Sequence, residues 1–273
     1  MQKRHTTCRN SLARSVFVAI SCLMTVMIAA AADETAVRDL PIEIVTKLAA
    51  EIYRQDTYAA EATDLLLQGP GGPSALESEG VRGLWVVTGN DREVIRFVRE
   101  APDGFTAAYD VTFLPDQRPV VSRVKNPRLS EAELAQLRAR QLARRQVSQP
   151  CAQQYNTVAL PDGSSGNLLI YALAATDDPN LVLIGGHYRI TVSGDGRSVR
   201  LVEKLSKSCL ALKKNEVPRG GKLSALLATH VVSEFPLETH GYLSLLHKQP
   251  LYIRTKKGMW KVDAGEFTLV EQR

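Results

Sequence analysis

The spacing of hydrophobic positions changes its period several times along the chain. Over residues 41–53, Val45, Leu48, Ala49 and Ile52 recur at helical spacing, with Pro41 suited to a first turn and Asp39 placed as a cap. A second helical stretch is predicted over 57–68. Gly69-Pro70-Gly71-Gly72-Pro73 then ends it, because this run cannot continue a helix and reads as a flexible connection. Residues 84–88, 93–99, 105–114 and 119–124 are rich in Val, Ile and Phe and are separated by Asn90-Asp91, Asp103-Gly104 and Pro115-Asp116. They predict an antiparallel meander.

Ser130-Glu131-Ala132-Glu133 has the spacing of a capping box, with Leu129 and Leu134 at the staple positions, and predicts a helix from 130 to about 147. Leu134, Leu137 and Leu142 give it an apolar stripe that should pack on a sheet. Its acidic start and its Arg138, Arg140, Arg144 and Arg145 match the helix dipole. These arginines are read as a solvated face in preference to an anion-binding one. Further on, 155–160, 167–175, 181–184, 187–192 and 198–204 read as strands, 223–232 as a strand or helix, and 238–246 as a strand. A hairpin of 251–255 and 259–262 follows, with 267–270 last. Helices and strands fall into separate runs. The expected fold is therefore α+β, a mostly antiparallel sheet with an N-terminal helix or helix pair and a central capped helix packed on it.

The first residues do not belong to this pattern. Lys3, Arg4, Arg9 and Arg14 precede an apolar segment at 15–28 and four alanines at 29–32, the layout of a secretory signal peptide. A membrane-spanning helix needs about 20 apolar residues. Ala19-Ile20-Ser21-Cys22 loosely resembles a lipobox, but it lacks the usual Leu three residues earlier, and lipidation at Cys22 would leave a greasy mature start. The expected organisation is a signal peptide at 1–32, a helix-plus-meander part at 33–148 including the capped helix, and a strand-rich part at 149–273, the two parts in contact. The mature protein is expected in the periplasm or secreted, with no stable membrane insertion.

This assignment changes the charge balance. The chain carries 34 basic against 29 acidic residues, yet four of the basic ones lie in the signal segment, leaving 30 against 29. Nucleic acid is therefore not an expected partner. Cys8 and Cys22 leave with the signal, so Cys151 and Cys209 remain in an oxidising compartment and are expected to pair.

Candidate chemistry is sparse. Gly163-Ser164-Ser165-Gly166 lacks the single central serine of a nucleophile elbow, and Gly185-Gly186 leads into a strand where a phosphate site needs a helix N-terminus. Trp85 and Trp260 sit in apolar runs and read as strand packing. His187, His230, His240 and His247 all lie in the C-terminal half. If 238–246 is extended, Glu238 and His240 share a face, and His187 and His230 from neighbouring strands would complete a three-histidine, one-carboxylate zinc site. No specific metal motif supports that set, so hydrogen-bonded structural histidines are the default. In a strand, His187 and Arg189 point away from apolar Tyr188, Ile190 and Val192. That predicts an exposed recognition face made of His187, Arg189, Glu238 and His240.

Cys151 with Tyr155-Asn156-Thr157-Val158, Gly185-Gly186-His187-Tyr188-Arg189, Ser206-Lys207-Ser208-Cys209, Thr229-His230 and Glu238-Thr239-His240 resembles a pattern in uncharacterised secreted, periplasmic proteins of Gram-negative bacteria. The resemblance implies export and the two-cysteine framework, and it implies no activity. Two functions follow as expectations. The first is a non-catalytic binding or interaction module without a cofactor, acting on another envelope protein. The second is a zinc-assisted hydrolase using His187, His230, Glu238 and His240.

Overall fold

A computed structural model of the chain describes residues 37–69, 72–89, 93–215 and 223–272. The signal-like segment with Cys22 and the cleavage site lies outside them, as do the Asn90-Asp91 turn and residues 216–222.

Helix α1 (Ile42–Leu67) is continuous, where the sequence predicts two helices. The polar stretch Arg54-Gln55-Asp56 breaks the apolar spacing, but Gln55 and Asp56 are buried, and the Thr57 hydroxyl donates back to the Tyr53 carbonyl at 2.7 Å inside an unbroken helix. Pro41 is the N-cap, and Asp39 accepts from the Glu234 amide without capping α1. The short α2 (Gly72–Ser78) begins within the Gly/Pro run expected to be a flexible connection.

The predicted meander is present as β1 (Val81–Thr88), β2 (Glu93–Ala101), β3 (Gly104–Phe113) and β4 (Val120–Arg123), antiparallel in that order. Helix α3 (Glu131–Arg144) follows with its capping box formed. The Ser130 hydroxyl accepts from the Glu133 amide at 3.3 Å, and the Glu133 carboxylate accepts from the Ser130 amide at 2.7 Å. Next come β5 (Gln154–Pro161), β6 (Leu168–Ala175), β7 (Leu181–Leu183), β8 (Tyr188–Val192), β9 (Val199–Lys204) and β10 (Ala211–Lys213). They make an antiparallel sheet ordered β5-β6-β8-β9 and a separate β7/β10 pair.

Then come β11 (Leu226–Thr229), α4 (Glu238–His247), β12 (Leu251–Thr255), β13 (Gly258–Asp263) and β14 (Glu266–Gln272). Strand β11 pairs with β12 in parallel and the rest of this sheet is antiparallel, so α4 serves as the crossover that parallel strands require. The expected strand at 238–246 is thus a helix. Residues 238–244 are all buried, which leaves no solvent face to reveal a helical period. Gly241 allows the close approach: a Cβ there would lie 2.6 Å from the Ala49 Cβ of α1 and 2.9 Å from the Phe267 ring. The α+β class holds.

Two features set up the sites. Tyr188, Ile190 and Val192 of β8 pack with Ala139 and Ala143 of α3 on one face of the β5-β6-β8-β9 sheet. On the other face, Leu169, Tyr171 and Leu173 of β6 pack with Ile52 of α1 and with Leu237, Tyr242 and Leu243. Helix α3 also sends Leu137 into the meander core beside Val86, Val98 and Ala107. Packed on both sides, it does not present the wholly solvated arginine face expected: Arg144 and Arg145 are exposed, but Arg140 is buried. Cys151 and Cys209 form the expected disulfide, with Cα atoms 5.3 Å apart.

Candidate functional site

The residues singled out in the sequence come together, but as interior groups. His187 and Arg189, expected on an exposed face, are 1% and 0% exposed. The alternation in β8 is as predicted, yet the second face is covered by α4, which places Glu238 against Arg189. Arg189 donates from Nε and Nη2 to both oxygens of Glu203 (2.8 and 2.7 Å), from Nη1 to Glu238 (2.9 Å) and from Nη2 to the Arg38 carbonyl (2.9 Å). Burial would raise the Glu203 pKa, but the hydrogen bonds from Arg189 and Arg38 outweigh it and hold the group at about 2. This arrangement joins β8, β9, α4 and the segment before α1, and it leaves Glu238 Oε2 buried without a hydrogen-bond partner among the described residues.

The histidines are likewise committed to the fold. His187 accepts from the Ala174 amide at Nδ1 (3.1 Å) and donates from Nε2 to the Leu183 carbonyl (2.8 Å), which leaves it no lone pair for a metal. His240 accepts the Leu237 amide at Nδ1 (2.9 Å), so it caps the start of its own helix. His230 meets His240 edge to face at 4.9 Å and bonds through Nε2 to the Ser233 hydroxyl, which donates to the Phe235 carbonyl. Burial depresses all three, His187 and His230 to about 4, and His240 well below the usual imidazole range, where the charges of His230 and His187 add to the effect. A cavity of about 60 Å³ touches His230 and His240. Among the described residues, no three His, Cys, Asp or Glu side chains converge as metal ligands.

A second polar group, absent from the sequence expectations, lies where α1, β1, α3 and the edge strand β5 meet. A cleft of about 300 Å³ is walled by Asp56 and Thr63 of α1, Trp85 of β1, Arg144 of α3 and Asn156 of β5. It adjoins a recess of about 20 Å³ lined by Arg140, the two sharing Gly83, Trp85, Arg144 and Thr157. Strand β1 is bulged here: Val81 pairs with Arg99 and Trp85 with Phe97, four residues of β1 against two of β2. Gly83 supplies the positive φ (+74°) that this bulge needs.

The guanidinium of Arg140 lies 3.7 Å from the centre of the Trp85 ring. Its Nη1 donates to the Thr157 carbonyl, while Nε and Nη2 are buried with no hydrogen-bond partner among the described residues. The side chain is only 6% exposed. Burial and neighbouring Arg144 lower its pKa to about 9 against the pull of Asp56, so it remains a cation at neutral pH. Asp56 accepts from Asn156 (3.0 Å) and from the Tyr242 hydroxyl (2.8 Å), and burial raises its pKa against these bonds.

Two signals in the sequence pointed to this cleft. Arg140 lies three residues after Leu137, beside the predicted apolar stripe, and Gly83 adjoins a predicted strand, where glycine marks bulges. In comparisons with known proteins, no family model, no curated protein and no solved structure matches the chain.

Proposed function

We propose that the protein is an exported, non-catalytic binding module that holds a small ligand in the cleft between α1, β1, α3 and β5. The observation that carries this reading is the buried Arg140 cation in the recess that adjoins the cleft, stacked on Trp85, with two nitrogens that have no hydrogen-bond partner among the described residues. Buried donors without hydrogen-bond partners cost stability, and a ligand that accepts from them offsets that cost. A binding role also fits the chemistry present: Arg140 is a cation at neutral pH, and Asp56 is engaged by Asn156 and Tyr242. Export is supported by the signal-like start and by the disulfide.

The test is a thermal-unfolding screen of charged and neutral small metabolites against the disulfide-intact protein, Trp85→Ala and the rim variant Arg144→Glu. Some ligands should raise the Tm of the wild type, raise it less in Arg144→Glu, and leave Trp85→Ala unchanged. A library without a stabilising ligand, or equal stabilisation of all three proteins, rejects the reading.

A further inference from the structure

We infer that the ligand presents a carboxylate to the Nε/Nη2 edge of Arg140, an assignment that rests on the binding role proposed above. Three other arginines of this chain show how that edge is used. Arg189 grips Glu203 with Nε and Nη2 at 2.8 and 2.7 Å, Arg96 grips Asp110 at 2.8 and 2.8 Å, and Arg38 also holds Glu203 at 3.1 and 2.8 Å. In each, two parallel N–H groups meet the two oxygens of one carboxylate, the side-on fork geometry that guanidinium matches best. In Arg140 the same two nitrogens are the ones without a partner, whereas Nη1 is tied to Thr157 and Trp85 covers the ring plane. Both attachments fix the plane of the fork, so it is oriented before anything binds.

The acids of the cleft narrow the ligand class further. Asp56 and Asp64 of α1 line the cleft with Arg144, beside the recess that holds Arg140. A polyanion such as phosphate would face both acids, whereas a monocarboxylate carrying an ammonium or other donor satisfies both the arginine and the acids. The ligand class is therefore a small zwitterionic or donor-bearing monocarboxylate. Trp85 provides the apolar surface against which its body lies.

The experiment follows the arginine Nε–H and tryptophan indole N–H resonances of the full mature protein during titration. The probes are L-alanine and acetate, their amides L-alaninamide and acetamide, and inorganic phosphate. L-alanine and acetate should shift the Arg140 and Trp85 signals saturably, L-alanine more tightly, while the amides and phosphate leave them unmoved. Arg140→Lys, which keeps the charge and loses the fork, should weaken L-alanine at least tenfold, and Arg140→Gln should abolish its binding. The unchanged remainder of each spectrum reports folding.

Equal shifts from an amide and its acid, or from phosphate and acetate, overturn the carboxylate assignment while leaving a ligand-binding cleft. Unweakened L-alanine binding by Arg140→Lys does the same. No shift at Arg140 with either acid up to about 100 mM, a hundredfold above a millimolar Kd, also rejects it, and the wider screen with Trp85→Ala then decides the binding role separately.

Discussion

Arg189 and Arg140 are both buried guanidiniums, one on each side of the same β5-β6-β8-β9 sheet, and they differ in how their donors are satisfied. Arg189 meets Glu203, Glu238 and a backbone carbonyl, so each of its nitrogens has an acceptor. Arg140 has one carbonyl, one aromatic face and two unpartnered nitrogens beside a cleft. The first arrangement locks elements together, since opening it exposes or strands several charges at once. The second leaves two donors unpartnered, with Asp56 acting on the charge only from nearby. Sequence inspection placed the recognition chemistry around Arg189 and read Arg140 as solvated. The contrast lies in each guanidinium's own donors: all three nitrogens of Arg189 have partners, and two of Arg140 have none among the described residues.

The strongest way to break the contrast is to remove each cation. Arg189→Met leaves Glu203 and Glu238 buried without their partner and should cost about 3–5 kcal/mol, whereas Arg140→Met removes a cation whose acidic neighbour, Asp56, is already held by Asn156 and Tyr242, and should change stability by less than about 1 kcal/mol. Denaturant unfolding of the disulfide-intact proteins measures both, and comparable losses would erase the distinction.

Next in size is the bridge that closes the Arg189 region. Cys151 and Cys209 are 58 residues apart, so replacing both with alanine should cost about 4 kcal/mol in the chain-entropy model. Binding at the Arg140 cleft should survive at temperatures where this variant remains folded, and loss of both together would mean that the two regions are not separable.

The third effect is an acid limb. His187 and His230 have pKa values depressed from 6.5 to about 4, so below pH 6.5 the unfolded chain takes up protons that the native chain refuses. Their contribution is fully present above about pH 6.5 and is lost as the pH falls toward 4, by roughly 3 kcal/mol for each group. Stability measured from pH 8 down to about 4 should be flat and then fall. His187→Gln should be less stable at pH 7 yet lose less on acidification, and an unchanged acid limb would show that His187 titrates normally in the fold.

Features written in neighbouring residues were legible. The Ser130/Glu133 box, the meander and the late hairpin depend on contacts a few residues apart, and the pairing of Cys151 with Cys209 followed from there being two cysteines in an export context. The continuity of α1 was not legible, because Asp56 is stabilised by Asn156 and Tyr242, 100 and 186 residues away. Nor was α4, whose complete burial over residues 238–244 removes the alternation that distinguishes a helix from a strand.

The sequence by itself determined the element types where one face is wet, the α+β class, the capped helix and which side chains could carry charge or bind. Tertiary structure decided which of those charges met partners. Glu238 reaches Arg189 because α4 crosses over the second face of β8, while Arg140 is buried because α3 is packed between two sheets. Burial and pairing are properties of what surrounds a side chain, and in this protein those surroundings come from segments far apart in the chain.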